Sequence, residues 1–245
     1  MIDTHAHLDA LEDPGAAIRR AAEAGVTRIL AVGTTIEGGR SALELADEHE
    51  GVFAVVGIHP HEAAAEGGRV EELGDLLAHP RAVAVGETGL DFYRDRAPRG
   101  RQLEVFEAEL DLALRLGKPV VVHTRAADRE TAAVLDRFEG TVVLHCFSSP
   151  ALLPVALERG YYVSFAGNVS FPNASELRLA AAQVPADRLL VETDSPYLAP
   201  QPVRGRPNEP AHVVHTLAAV AAARGADPSR LEEQVDANAT AAFGL

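Results

Sequence analysis

The chain has one cysteine, Cys146, and one lysine, Lys118, among 245 residues. A single cysteine excludes an internal disulfide and a zinc site built on thiolates. It fits a reducing cytoplasm as the expected compartment. A single lysine leaves arginine to carry nearly all the positive charge, and that charge is scarce. Only 22 Lys and Arg face 36 Asp and Glu, for a net charge of −14 with histidine neutral. Such a protein repels polyanions at long range, which argues against a wide basic face for sequence-specific duplex binding. Phosphate chemistry here needs positive charge from another source, and a metal ion would supply it. No apolar run approaches the ~18 residues of a membrane span, so no membrane partner is expected. The opening Met1-Ile2-Asp3-Thr4-His5 is too acidic and polar to read as a signal peptide. No long Gly/Ser/Pro linker or charge block interrupts the chain, so residues 1–245 read as one domain.

Hydrophobic residues make up 47% of the chain, ample for a buried core. They fall into short apolar runs alternating with longer segments of helical period. Eight strands are expected: 2–7, 26–32, 52–58, 82–87, 119–123, 142–145, 161–165 and 189–192. Most are rich in Val and Ile without polar alternation, which suits strands covered on both faces. Helices are expected at 14–24, 41–49, 101–116, 211–223 and 228–235. Asp13-Pro14 makes an N-cap followed by an N1 proline. In the third helix Leu103, Phe106, Leu110 and Leu114 form one apolar stripe ahead of Gly117. This alternation predicts an α/β protein, a single-domain (β/α)8 TIM barrel. An open doubly wound sheet usually carries a Gly-rich phosphate loop after its first strand. Here that strand ends in His5-Ala6-His7 instead.

A barrel of this kind builds its active site at the C-terminal strand ends. His5 and His7, two apart on a strand, point to the same side. Glu87 ends the fourth apolar run, His123 the fifth and His145 the sixth, and Asp194 follows the eighth. A buried imidazole or carboxylate must be paired, hydrogen-bonded or metal-bound. Four histidines and two acids converging on one mouth point to metal. They exceed one tetrahedral site and suit two divalent ions sharing a carboxylate, ~3.5–4 Å apart. Glu87, midway through the set, is the expected bridge. Imidazole and carboxylate without thiolate suit zinc, manganese, magnesium, cobalt or nickel.

Several segments together resemble the TatD family of metal-dependent deoxyribonucleases. They are His5-Ala6-His7-Leu8-Asp9, Gly57-Ile58-His59-Pro60-His61 and Gly86-Glu87-Thr88-Gly89-Leu90-Asp91. With them come His123-Thr124-Arg125, His145-Cys146-Phe147-Ser148 and Glu192-Thr193-Asp194-Ser195-Pro196. The resemblance covers essentially the whole chain. It implies a TIM barrel of the metal-dependent hydrolase superfamily holding two metals. His5, His7, Glu87 and Asp194 match the family's ligands for one metal, and Glu87, His123 and His145 those for the other. The late Arg206-Pro207-Asn208-Glu209-Pro210 departs from the family's Arg-Asn-Glu-Pro by an inserted proline.

The chemistry expected of such a centre is hydrolysis by a metal-activated water. Asp194 both ligates and accepts the water's proton. The acidic surface favours DNA ends or short nucleic-acid substrates, as an exonuclease would take. His59 and His61 either contact a substrate phosphate or stabilise their own loop. Arg125 is a phosphate clamp by its fork geometry or a salt-bridge partner. Glu192 either orients a ligand or binds a further ion, or else sits in a structural ion pair. Asp91 is expected to hold the Glu87 loop, and Cys146 to be a small buried residue beside His145. His49, His79, His212 and His215 fall on helices or their ends and read as packing or surface residues. The same scaffold also suits a hydrolase of other esters or amides, an aminoacyl ester on tRNA included. A carboxylated-lysine bridge is excluded, because Lys118 lies at the wrong end of its strand. A non-catalytic metal binder would lack a ligand or the proton acceptor, and all six positions are filled.

Overall fold

The computed structural model describes residues 1–245. Its eight parallel strands follow one another in chain order around a single sheet. They are β1 (Ile2–Ala6), β2 (Arg28–Gly33), β3 (Val52–Val56), β4 (Ala82–Asp91), β5 (Val120–Arg125), β6 (Val142–Leu144), β7 (Tyr162–Phe165) and β8 (Leu189–Val191). The ring closes just past β8. There His7 N–H donates to Ser195 O at 2.8 Å and Asp194 N–H donates to His5 O at 2.9 Å. The (β/α)8 barrel read from the apolar runs is therefore the observed fold.

Alternate strand residues explain why the runs are apolar throughout. Ile29, Ala31, Ala54, Val122 and Val163 pack outward against the helices, in a cluster of 53 buried residues. Leu30, Val32, Val55, Val121 and Val143 take the opposite parity and fill the barrel, in a separate cluster of 12. Ala239, Ala242 and Phe243 close that inner cluster at the N-terminal end of the strands. They extend the last helix to Pro228–Phe243, eight residues past the expected end. The segment after Val235 alternates small and polar residues with no stripe, and only packing under the barrel holds it helical. There Asn238 is buried and donates to Ala186 O and Leu189 O.

Two other helices differ instructively from expectation. The second spans Ile36–Glu48 rather than starting at Ser41. Thr35 caps it by accepting the Gly38 N–H at 2.9 Å. Gly38-Gly39 weakens the helical signal, yet packing requires a glycine. A Cβ on Gly39 would lie 2.8 Å from Val56 Cγ1. In Arg99–Leu116 the buried face carries Gln102, Val105, Phe106, Glu109, Leu110, Leu112 and Ala113. The expected stripe is rotated: Leu103 is only partly buried and Leu114 is 48% exposed. Two polar side chains lie on the buried face because each satisfies backbone groups there. Gln102 accepts from Asp91 N–H at 2.8 Å and donates to Ala97 O at 2.8 Å.

β4 runs four residues beyond Glu87, pairing Gly89 with His123 and Asp91 with Arg125. Gly89 has φ 132°, and a Cβ there would lie 2.0 Å from His123 O. Only glycine lets these two strands meet so closely. The non-glycine residues with left-handed φ are Asp95, Ala126, Cys146, Asp194 and Leu198, and all follow C-terminal strand ends. Backbone strain thus gathers at the face where the polar residues converge.

Candidate metal centre

Five of the six residues singled out at the strand ends line one cleft of about 740 Å³, and buried His5 lies beneath it, grouped with Glu87 and His145 and with His7 and Asp194. Glu87 sits at its middle, and its two oxygens face different partners. Oε2 lies 3.4 Å from His5 Nε2 and 3.6 Å from His7 Nε2. Oε1 lies 2.7 Å from His123 Nδ1 and 2.8 Å from His145 Nε2. His7 Nε2 is also 3.5 Å from Asp194 Oδ1. His59 joins the second group, with Nε2 3.4 Å from Glu87 Oε1.

Surrounding side chains aim these groups. His145 Nδ1 is 3.2 Å from Glu192 Oε1, which also accepts the Cys146 N–H at 2.8 Å. Nδ1–H donation to Glu192 points Nε2 at Glu87 Oε1, where a protonated ring donates a hydrogen and a neutral ring would present its lone pair to a cation. Asp91 Oδ2 faces His61 Nε2 at 2.9 Å and His123 Nε2 at 3.4 Å. His59 Nδ1 accepts the His61 N–H at 3.1 Å, so the hydrogen of a neutral His59 ring sits on Nε2. Arg125 lines the cleft without an ion pair, its guanidinium 4.2 Å from the Tyr93 ring centre. Cys146 is half-buried and lines the cleft, whereas a buried packing residue was expected. Its left-handed φ of 43° turns the chain out of the barrel after His145. His79 pairs with Asp47, and His212 with Asn208, away from this cluster.

Two supporting residues, Asp3 and Glu109, escaped the sequence reading, and a third, Asn208, was singled out there only as part of the Arg206–Pro210 segment. Buried Asp3 accepts Thr193 N–H at 2.8 Å, Thr193 Oγ1–H at 2.5 Å and His5 N–H at 3.3 Å. Buried Asn208 donates to Thr193 O at 2.9 Å and Tyr197 O at 2.6 Å, bracing the loop that carries Asp194. Buried Glu109 accepts from Ile58 N–H at 2.8 Å and from Thr88 Oγ1–H at 2.5 Å. It thereby ties the segments of His59 and Glu87 to one helix. An acid among apolar residues at helical spacing was the only local signal for Glu109.

Burial opposes charge on Glu87, but the His145 and His59 imidazoles and hydrogen bonds from His123 and His145 prevail. They hold its carboxyl well below the usual range. Asp194 is likewise pushed up by burial, yet His7, His145 and His5 keep it below its ordinary value. Both stay ionised at neutral pH. Desolvation outweighs Glu87 at His59 and lowers that ring to about 4, so it is neutral.

The donor set fits a cation. His5 Nε2 and His7 Nε2 face each other at 3.4 Å, as do His123 Nδ1 and His145 Nε2. Each pair could share one hydrogen as an N–H···N bond, and a cation set between the inward nitrogens would take both lone pairs instead. Buried His5 Nδ1 has no hydrogen-bond partner, and His123 Nε2 has only Asp91 Oδ2, 3.4 Å away. Ionised carboxylates beside inward lone pairs, without sulfur, suit a divalent ion of the zinc, manganese or magnesium type.

Comparison with known proteins agrees with this geometry. The family model described as TatD related DNase matches residues 2–244. The "uncharacterized metal-dependent hydrolase TatD" of Mycobacterium tuberculosis is 42% identical over 261 residues, covering 100% of this chain and 98% of the relative. The "3'-5' ssDNA/RNA exonuclease TatD" of Klebsiella pneumoniae is 38% identical, covering 93% of this chain and 90% of the relative. Among solved structures, the TatD homolog YJJV of Escherichia coli superposes with a TM-score of 0.94 at 31% identity, covering 100% of this chain and 98% of that one. With a family match over nearly its whole length and a cation-fitting cluster at the barrel mouth, the chain belongs to the TatD-related DNase family and is a metal-dependent hydrolase.

Proposed function

We propose that the protein is a deoxyribonuclease of exonuclease type, using two divalent ions that share Glu87. The observation that carries the reading is the division of that carboxylate, Oε2 toward His5 and His7 and Oε1 toward His123 and His145. In this assignment His5, His7, Glu87 and Asp194 hold one ion, and Glu87, His123 and His145 hold the other. When bound, such a pair supplies a hydroxide-like water near neutral pH and neutralises charge on a phosphoryl group.

The chain's own groups then do the following. Asp194 is an ionised acceptor at the cleft wall, able to take the proton released by the attacking water. Glu192 fixes the tautomer of His145, so that Nε2 is the ligating atom. His59 is neutral and presents Nε2–H as a donor to a substrate oxygen. His61 and Asp91 hold the outer edge of that group. Arg125 offers its free guanidinium to a phosphate. The acidic surface favours strand ends and short substrates over long duplexes. Support for a nucleic-acid substrate comes from relatives named as ssDNA/RNA exonucleases. The sparse, unpaired cysteine fits work in the cytoplasm.

The test is hydrolysis by metal-stripped protein with each divalent ion restored in turn. Single-stranded DNA, duplex DNA, RNA and small carboxyl esters serve as substrates. Release of nucleotides from single-stranded DNA on metal addition is the expected outcome. Carboxyl-ester cleavage with no phosphodiester cleavage by any metal form would overturn the proposal.

A further inference from the structure

The rim of the cleft divides into two chemically different sides. On the β4–β5 side Arg94, Arg96 and Arg125 all line it. None makes an ion pair or a side-chain hydrogen bond, although acids outnumber basic residues 36 to 22 in this chain. Arg125 is braced by the Tyr93 ring, and Arg94 lies 5.8 Å from the centre of the same ring. Asp91 Oδ1 fixes the turn by accepting N–H of Tyr93 at 3.0 Å and of Arg94 at 2.7 Å. Its other oxygen faces His123. One carboxylate thus ties the arginine wall to the metal-binding cluster.

On the β8 side stands Tyr197, 57% exposed, its ring centre 5.8 Å from that of His7. Few large apolar side chains are exposed in this protein; Tyr93 and Tyr197 are the only aromatic ones among them. Asn208 pins the Tyr197 carbonyl, so the ring stands on a fixed backbone. In an eight-stranded ring β8 and β4 lie on opposite sides. The metal-binding cluster therefore lies between an aromatic face and a cationic wall.

Resting on the nuclease reading above, we infer two subsites on opposite sides of the centre, a base platform at Tyr197 and a phosphate wall at Arg94, Arg96 and Arg125. An unpaired base stacks on Tyr197, and backbone phosphates beyond the centre bind Arg94, Arg96 and Arg125. Stacking on an exposed ring requires a base free of its complement, and guanidinium forks match phosphate oxygens. A paired end must fray to occupy both subsites.

The experiment compares kcat/KM on hexathymidylate and on bis(p-nitrophenyl) phosphate, which is too small to span both subsites. Metal-loaded wild type, R94A/R96A, Y197A and Y197F are assayed across a salt series, with bound metal measured in each. R94A/R96A is expected to lose at least roughly tenfold more on the hexamer than on the small diester. Its salt dependence should flatten by about 1.4 in log–log slope, at ~0.7 per phosphate contact on single strands. Y197A should raise KM for the hexamer roughly tenfold, with Y197F restoring most of it. Equal losses on both substrates, an unchanged salt slope, or Y197F no better than Y197A would overturn the inference while leaving the nuclease reading standing. Wild type that cleaves the small diester and never the hexamer would overturn both.

Discussion

Glu109 offers the sharpest test of how this site is held. It is fully buried on the helix Arg99–Leu116, and burial pushes its carboxyl from 4.5 up to about 8. Its bonds with Thr88 and Ile58 oppose that rise without cancelling it. Between these two pH values the folded chain holds a proton that the unfolded chain has released. Stability therefore falls as pH rises through that window and levels off above about 8. At pH 7 the cost of keeping the group neutral is about 3 kcal/mol, from ~1.4 kcal/mol per pH unit above the unfolded value. Glutamine keeps the carbonyl acceptor for Ile58 N–H and turns an amide toward Thr88 Oγ1. Glu109→Gln should then be more stable by up to about 3 kcal/mol at pH 7, or roughly 6–12 °C in melting temperature for a chain of this length. The gain should vanish as pH falls below 4.5, where Glu109 becomes protonated in both states. Activity should survive, because the segments of His59 and Glu87 keep their ties. Glu109→Leu should instead leave Ile58 N–H and Thr88 Oγ1 unpartnered, at about 1–3 kcal/mol each, and weaken metal binding. The assay is thermal unfolding of both variants and wild type from pH 4.5 to 8.5, at fixed metal. A stability difference between Gln and Glu that is flat across pH would refute the reasoning.

Asp3 obeys the same rule, since burial raises it to about 8. Asp3→Asn should gain a few kcal/mol at pH 7 and nothing well below pH 4, as read by urea unfolding at the two pH values. Glu87→Ala should lower bound metal more than any single histidine change, because its two oxygens face two groups of ligands. Two ions per chain retained in that variant by elemental analysis would reject the bridge. Asp194→Asn should keep an oxygen ligand and most metal but lose about 10²–10⁴ in rate as a proton acceptor. His123→Ala should fail through metal loss and recover partly in excess metal. Rate against metal concentration, with bound metal quantified, separates the two. A near wild-type rate for Asp194→Asn at high metal would confine that residue to ligation.

Much of this protein is written locally. A strand covered on both faces needs an unbroken apolar run, and an imidazole or acid ending such a run stands out against it. The strand count, the barrel and the six residues of the central cluster were therefore legible from order and spacing alone. What escaped was whatever depends on partners distant in sequence. The expected stripe on Arg99–Leu116 missed Gln102 and Glu109, because their burial makes sense only once Asp91, Ala97, Ile58 and Thr88 stand opposite them. Asp3, inside the first expected strand, and Asn208, in the Arg206–Pro210 segment, show no role until ring closure brings Thr193 to both. The length of the last helix depends on the hole it fills beneath the barrel. The sequence could nominate Glu87 as a bridge, but which oxygen faces which histidines is a property of the closed ring. So is the placing of three unpaired arginines across the mouth from Tyr197. Periodicity and residue type report what a segment buries, while the partner of each buried polar group is settled only when the eight strands close.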